Sequence, residues 1–98
     1  MATRDSDGLG KEAVAARLII TRHVTGLSQG EFAERCGISA NTYNQYEKAK
    51  NLLSLDSAHR LCDTYHLTLD WIYRGDPSGL RYDMAEAIKV LRSARQAR

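Results

Sequence analysis

Several things are scarce in this sequence, and each scarcity excludes something. It has 1 proline and 7 glycines in 98 residues, too few for a linker, a collagenous repeat or a disordered low-complexity tract. Its 2 cysteines, Cys36 and Cys62, do not make a disulfide framework and form no C-x-x-C pair. His23, His59 and His66 are scattered and, with the two cysteines, form no zinc-site motif, so neither a metal nor a cofactor is expected. No apolar run approaches the roughly 18–20 residues of a membrane span. Arg4, Asp5 and Asp7 precede Gly10 with no apolar block behind them, which does not read as a signal peptide, and a cytoplasmic setting is expected. Strand-like alternation is missing, and β-branched residues never run to four. No Ser/His/Asp or Cys/His set stands near a glycine-rich phosphate loop, and the length leaves no room for a two-domain enzyme. Catalysis is not expected.

What is present is ordinary for a small globular domain, 43% hydrophobic and 27% charged. The net charge of +2 is unevenly spread. Residues 28–50 are neutral, with three bases against three acids, whereas residues 81–98 carry five bases against two acids. A basic tail is commonly no more than a solvated face, so the charge alone assigns no partner.

Almost everything from Lys11 onward reads as helix. The pattern predicts a first helix from Lys11 to Val24 that stops near Gly26. Ser28 starts the second through a capping box with Glu31, and Gly37 ends it. Ser39 caps a third helix running to about Lys48. Ser54 caps a fourth, with Leu55, Ala58, Leu61, Cys62 and Tyr65 on one face. Thr68 caps a short fifth that Gly75 stops, and Tyr82 to Arg95 forms a sixth with Met84, Ile88 and Leu91 at helical spacing. The expected organisation is a flexible tail over residues 1–10, a helical domain over 11–76, and a turn with a basic amphipathic helix over 77–98.

The second and third helices are joined only by Gly37-Ile38-Ser39, and so short a glycine-containing joint forces a steep crossing of helix-turn-helix type. Such closeness needs a small residue on the second helix, Ala33, and bulky anchors on the third, Tyr43 and Tyr46. At 100° per residue, Asn44 falls about 40° from Ala40, Asn41 about 100° and Gln45 about 140°, with both tyrosines on the other side. One face therefore carries a methyl group, three amides and Lys48. An amide offers a donor beside an acceptor, as the adenine edge in the major groove requires, and alanine suits a thymine methyl. A purely structural surface helix more usually carries Glu and Lys.

Taken together, Arg22, Gly26-Leu27-Ser28-Gln29, Glu31-Phe32-Ala33, Gly37-Ile38-Ser39, Thr42-Tyr43, Glu47, Ser54-Leu55-Asp56 and Leu69 to Asp76 resemble the phage repressor and Cro-type helix-turn-helix family. The resemblance covers residues 18–75. It implies an all-α, five-helix repressor-like bundle, here followed by a C-terminal amphipathic helix. The implied function is that of a bacterial or phage-encoded transcriptional regulator, a repressor by type, binding double-stranded DNA as a homodimer. Carried over position by position, Ala40, Asn41, Asn44 and Gln45 face base edges. Ser28 and Gln29, at the start of the second helix, and Lys48, Lys50 and Asn51 meet phosphates. Arg22 pairs with Glu47 as structural support. Two positions depart from the family pattern: Ala49 stands where glycine is usual and Leu53 where proline is usual. Residues 48–53 are thus expected either to extend the third helix or to take another path.

The first helix is apolar over a wider arc than one core face needs. Ile20 and Val24 are expected to be covered by Met84, Ile88 and Leu91 of the last helix, either in the same chain or across a dimer seam. The alternative functional reading is an antitoxin-like interaction module whose residues 81–98 grip a protein partner.

Overall fold

The structure, a computed structural model, describes residues 10–96. Residues 1–9 of the expected tail, and Ala97 and Arg98, lie outside the described residues. The chain runs through α1 (Lys11–Thr25), α2 (Gln29–Glu34), α3 (Ala40–Glu47), α4 (Leu55–Tyr65), α5 (Asp70–Arg74, a single wide turn of π type) and α6 (Tyr82–Gln96). The described residues contain no strand, and none of their helices is long and apolar enough to cross a membrane.

The helix starts follow from side-chain oxygens placed to take orphan backbone N–H groups. The hydroxyls of Ser28, Ser39 and Ser54 accept from the N–H groups of Glu31, Thr42 and Ser57. At α2 the box is complete, because Glu31 accepts in return from the Ser28 N–H at 3.1 Å. Thr68 does the same service for α5, its hydroxyl accepting from the Trp71 N–H at 3.0 Å.

These helices close on an aromatic centre. Phe32 lies flat on Tyr65, ring centroids 4.3 Å apart, and tilts against Tyr43 at 5.3 Å. Ala33, Tyr43, Leu61 and Trp71 are fully buried around them. The Trp71 indole donates to the Thr21 hydroxyl at 2.9 Å, which satisfies the one polar atom of a ring sunk into the core. Arg17 is buried as well. Its guanidinium donates to the Ile72 carbonyl at 3.0 Å and lies so close over Gly75 that a Cβ there would meet it at 3.0 Å. Gly75 also sits at φ +77, the left-handed backbone that favours glycine.

The fourth helix departs from its expected face. Ala58 and Leu61 are buried, and Cys62 and Tyr65 pack partly against the core, but Leu55 is 61% exposed. It is the first helical residue, and Leu53 in the preceding joint is buried instead. The last helix packs against the first within this one chain. α6 lies along α1, Ile88 and Ile20 are buried, and Val24, Met84 and Leu91 pack partly against the core. Arg92 of α6 adds a cation–π contact, its guanidinium 5.1 Å from the centre of a Trp71 ring.

Between α3 and α4 the chain does not prolong the helix. Ala49 takes a left-handed conformation, φ 58, in the place a glycine would favour. Its N–H donates to the Tyr46 carbonyl at 3.1 Å and the Lys50 N–H to the Gln45 carbonyl at 3.0 Å, the bond pair of a Schellman end. The hydrogen bonding is that of a glycine terminus, but the Cβ makes the conformation strained. Replacing Ala49 with glycine is expected to raise stability by about 0.5–1 kcal/mol, the relief of left-handed strain less glycine's larger folding entropy. Urea unfolding at equilibrium measures it, and a loss of stability would contradict the strain.

Candidate nucleic-acid interface

The turn that aims α3 rests on Gly37, at φ +76, and on Ile38, which is buried and donates its N–H to the Ala33 carbonyl at 3.0 Å. Ala33 has no exposed surface, so α2 and α3 meet there without a side chain between them. Tyr43 and Tyr46 both point inward. Tyr46 reaches the Ser57 hydroxyl at 3.1 Å, which pins α3 to α4. Ala40 and Asn41 are exposed on the opposite side, and Asn44 and Gln45 are half-buried. Thr42, which the projection puts with the tyrosines, is exposed and bonded to the capping Ser39 at 2.9 Å.

Behind that face runs a chain of side-chain contacts from α1 to the outer edge of α3. Arg22 donates from Nε to Glu47 at 2.8 Å and from Nη2 at 3.1 Å, a two-point ion pair, and its Nη1 donates to the Leu27 carbonyl at 3.0 Å. Glu47 also accepts from the Gln29 amide at 2.7 Å. The Gln29 carbonyl oxygen in turn accepts from the Asn44 amide at 2.9 Å. Arg22 and Glu47 are largely withdrawn from water, their side chains 15% and 4% exposed. The ion pair is thus joined through Gln29 to Asn44, a residue of the candidate face. This link joins a phosphate candidate to a base-reading candidate, and spacing along the sequence gave no sign of it.

Electrostatics follows the geometry. Burial alone would raise the Glu47 pKa, but the contacts with Arg22, Tyr43 and Gln29 outweigh it and hold the carboxylate below its ordinary range. The Arg22 guanidinium is raised by the same hydrogen bond. The fully buried Tyr43 hydroxyl makes no well-formed hydrogen bond, and burial first, then the neighbouring Glu47, pushes its ionisation far above the ordinary range. Tyr43 is therefore a neutral anchor.

The phosphate candidates form two groups. Ser28 and Gln29 stand at the start of α2, where the Ser28 hydroxyl and N–H are both occupied by the capping box. Lys48, Lys50 and Asn51 are exposed around the end of α3. Cys36 and Cys62 lie apart from both groups, and burial raises both thiols above their ordinary pKa. That disfavours the reactive thiolate. Sequence reasoning overlooked Arg17 as a structural residue. The available signal was a charge standing between Ala13 and Ile20 in the apolar register of α1.

A family model described as helix-turn-helix matches residues 25–72, the span from the end of α1 into α5. No curated protein and no solved structure matches the chain.

Because the folded pKa of Glu47 is depressed, its contribution is complete above the ordinary value of 4.5 and fades as pH falls through the lower folded value. Stability is therefore expected to decline below about pH 4.5 in urea titrations carried down to about pH 3. Glu47→Gln should flatten that decline, with a residual slope from Glu31 and Asp76, whose carboxyls are held low by hydrogen bonds from the Ser28 and Ser78 N–H groups. At neutral pH the same change should cost on the order of 2–3 kcal/mol, since Arg22 is left without its counter-charge. An acid profile identical to that of the unchanged protein would refute this account of the ion pair.

Proposed function

Since the chain belongs to the Cro/C1-type helix-turn-helix family through residues 25–72, we propose that it is a sequence-specific transcriptional repressor. In this reading it acts in the cytoplasm of a bacterium, or for a phage, as a homodimer on duplex DNA. The family is a DNA-binding, non-enzymatic one. One observation carries the reading: the tie from Arg22 through Glu47 and Gln29 fixes α3 from behind while Ala40 and Asn41 stand in solvent.

The mechanism is equilibrium occupancy. Asn41 and Gln45 offer paired donor and acceptor atoms to base edges, and Ala40 offers a methyl group. Asn44, with one N–H given to Gln29, keeps its carbonyl oxygen and second N–H for a base, in an orientation already set. Lys48, Lys50 and Asn51 meet the backbone on one side of the groove. Gln29 meets it on the other with its second amide hydrogen, while Ser28 holds the start of α2. Because residues 28–50 carry no net charge, few counterions are released, and non-specific affinity is modest. The alternative of a partner-gripping last helix has less support, since the apolar face of α6 is taken by α1 and its Arg92 by Trp71.

Selection from a random duplex library tests the assignment. Asn41→Ala and Gln45→Ala should each relax the consensus at one or two positions, at roughly 10- to 100-fold in discrimination. Lys48→Ala should weaken all sequences alike and lower the salt slope by about one. An unaltered consensus in the Asn41→Ala/Gln45→Ala double variant would defeat the reading face.

A further inference from the structure

The joint from Asp76 to Leu80 and one side of α6 enclose a groove of about 770 Å³, and none of its lining residues comes from α1, α2 or α3. A volume of that order suits a small molecule. The floor is apolar, with Leu80 and Ile88 buried and Ala85 packed partly against the core. Tyr82, at the start of α6, also lines the groove, and 79% of its surface is exposed. An aromatic ring so open to water, beside an apolar floor, is a ready stacking partner.

Four charged side chains line the groove, and they are sorted along it. Glu86 comes one turn after Tyr82, Lys89 and Arg92 follow on the same side of α6, and Asp76 belongs to the joint. The Asp76 carboxylate is already committed, since it accepts from the Ser78 N–H at 2.9 Å and leans electrostatically toward Arg74. The side chains of Glu86, Lys89 and Arg92 form no ion pair and no hydrogen bond among the described residues. Glu86 and Lys89 stand three apart, a spacing at which a pair could have formed. Arg92 is held without being used up: the Trp71 ring, 5.1 Å from its guanidinium carbon, positions the group but takes none of its N–H donors. A positioned guanidinium suits the two oxygens of a carboxylate, and Lys89, one turn earlier, adds a second positive charge.

The opposite end has the opposite need. Glu86 precedes Arg92 by six residues, about 9 Å along the helix axis, and a carboxylate there accepts a hydrogen bond but repels an anion. A phosphate chain or an acidic peptide would set negative charge against Glu86 and Asp76 as well as against the two bases, so a polyanion fits poorly. The complement is a flat apolar body with one anionic end and one hydrogen-bond donor at the other, and a para-substituted benzene ring holds its two polar ends roughly that far apart. We propose that this groove binds a hydroxylated aromatic carboxylate. Its carboxylate meets Arg92 and Lys89, its ring lies on Leu80 and Ile88 beside Tyr82, and its hydroxyl donates to Glu86. The site is independent of the DNA-reading residues, and its occupancy can be tested without any duplex.

Titration of the full, isotope-labelled chain with 4-hydroxyphenylacetate, followed by amide NMR shifts, tests the site. Saturable shifts centred on the joint and on α6 are expected, with a dissociation constant of roughly 1 mM or tighter. Phenylacetate, which lacks the hydroxyl, and 2-(4-hydroxyphenyl)ethanol, which lacks the carboxylate, should each bind roughly tenfold more weakly. Lys89→Gln and Arg92→Gln should weaken both carboxylates by roughly three- to tenfold and leave the alcohol unchanged. Glu86→Ala should abolish the difference between 4-hydroxyphenylacetate and phenylacetate. Lys89 is exposed and Glu86 half-exposed on the helix surface, so these two variants keep the test valid even if the loss of Arg92 disturbs the packing over Trp71. No saturable shift up to about 20 mM, shifts centred elsewhere, or binding indifferent to both Lys89→Gln and Glu86→Ala would overturn the site. Self-association that these changes abolish, with no binding of the carboxylate, would give the groove to a second copy of the chain and overturn it equally.

Discussion

A guanidinium and a carboxylate, shielded from water and joined by two hydrogen bonds, carry the orientation of α3. Desolvating both charges uses up much of what their attraction returns, so a pair like Arg22 and Glu47 adds modest net stability. Its effect is directional. Arg22 comes from α1 and also holds the Leu27 carbonyl, so it fixes at once the turn before α2 and the inner edge of α3. Rotation of α3 about its axis would break both bonds to Glu47 and strand a charge. The tyrosines on the same side resist for another reason: Tyr43 has no exposed surface, and Tyr46 is bonded to Ser57. Polar and apolar constraints thus agree on one rotation, and that agreement leaves Ala40 and Asn41 exposed with Asn44 and Gln45 half-buried beside them.

Gln29 extends the constraint to the surface. An amide side chain gives and accepts, so it passes orientation from a charge to a neutral neighbour. Here it gives to Glu47 and accepts from Asn44. Any group that draws on Gln29 therefore acts on the same network that sets Asn44.

Much of this was legible in the sequence, and the reasons are local. Ser28, Ser39 and Ser54 announce helix starts because their hydroxyls act within three residues. Gly26, Gly37 and Gly75 announce stops because each takes the left-handed backbone. The inward tyrosines follow from helical period alone. What was illegible depends on how elements cross. Leu55 obeys the spacing of its face but stands exposed at the first position of α4, with Leu53 buried before it. The Gln29 to Asn44 contact needs the angle between α2 and α3, which no pattern along one helix contains. Arg17 looked like a surface charge because its acceptor, the Ile72 carbonyl, comes from a turn distant in sequence. Ala49 left two routes open, since the gain in terminal hydrogen bonds and the steric strain oppose each other at similar size.

The packing of α6 has a consequence of a different kind. The chain contains a single tryptophan, and its ring is fully buried, bonded to Thr21 of α1 and covered by the guanidinium of Arg92 from α6. Indole emission is sensitive to nearby charge and to water, so Trp71 is a built-in optical reporter for the seating of the C-terminal helix. Lifting α6 away would take the cation off the ring and open that side to solvent, and the colour of the fluorescence would register the event without any added dye.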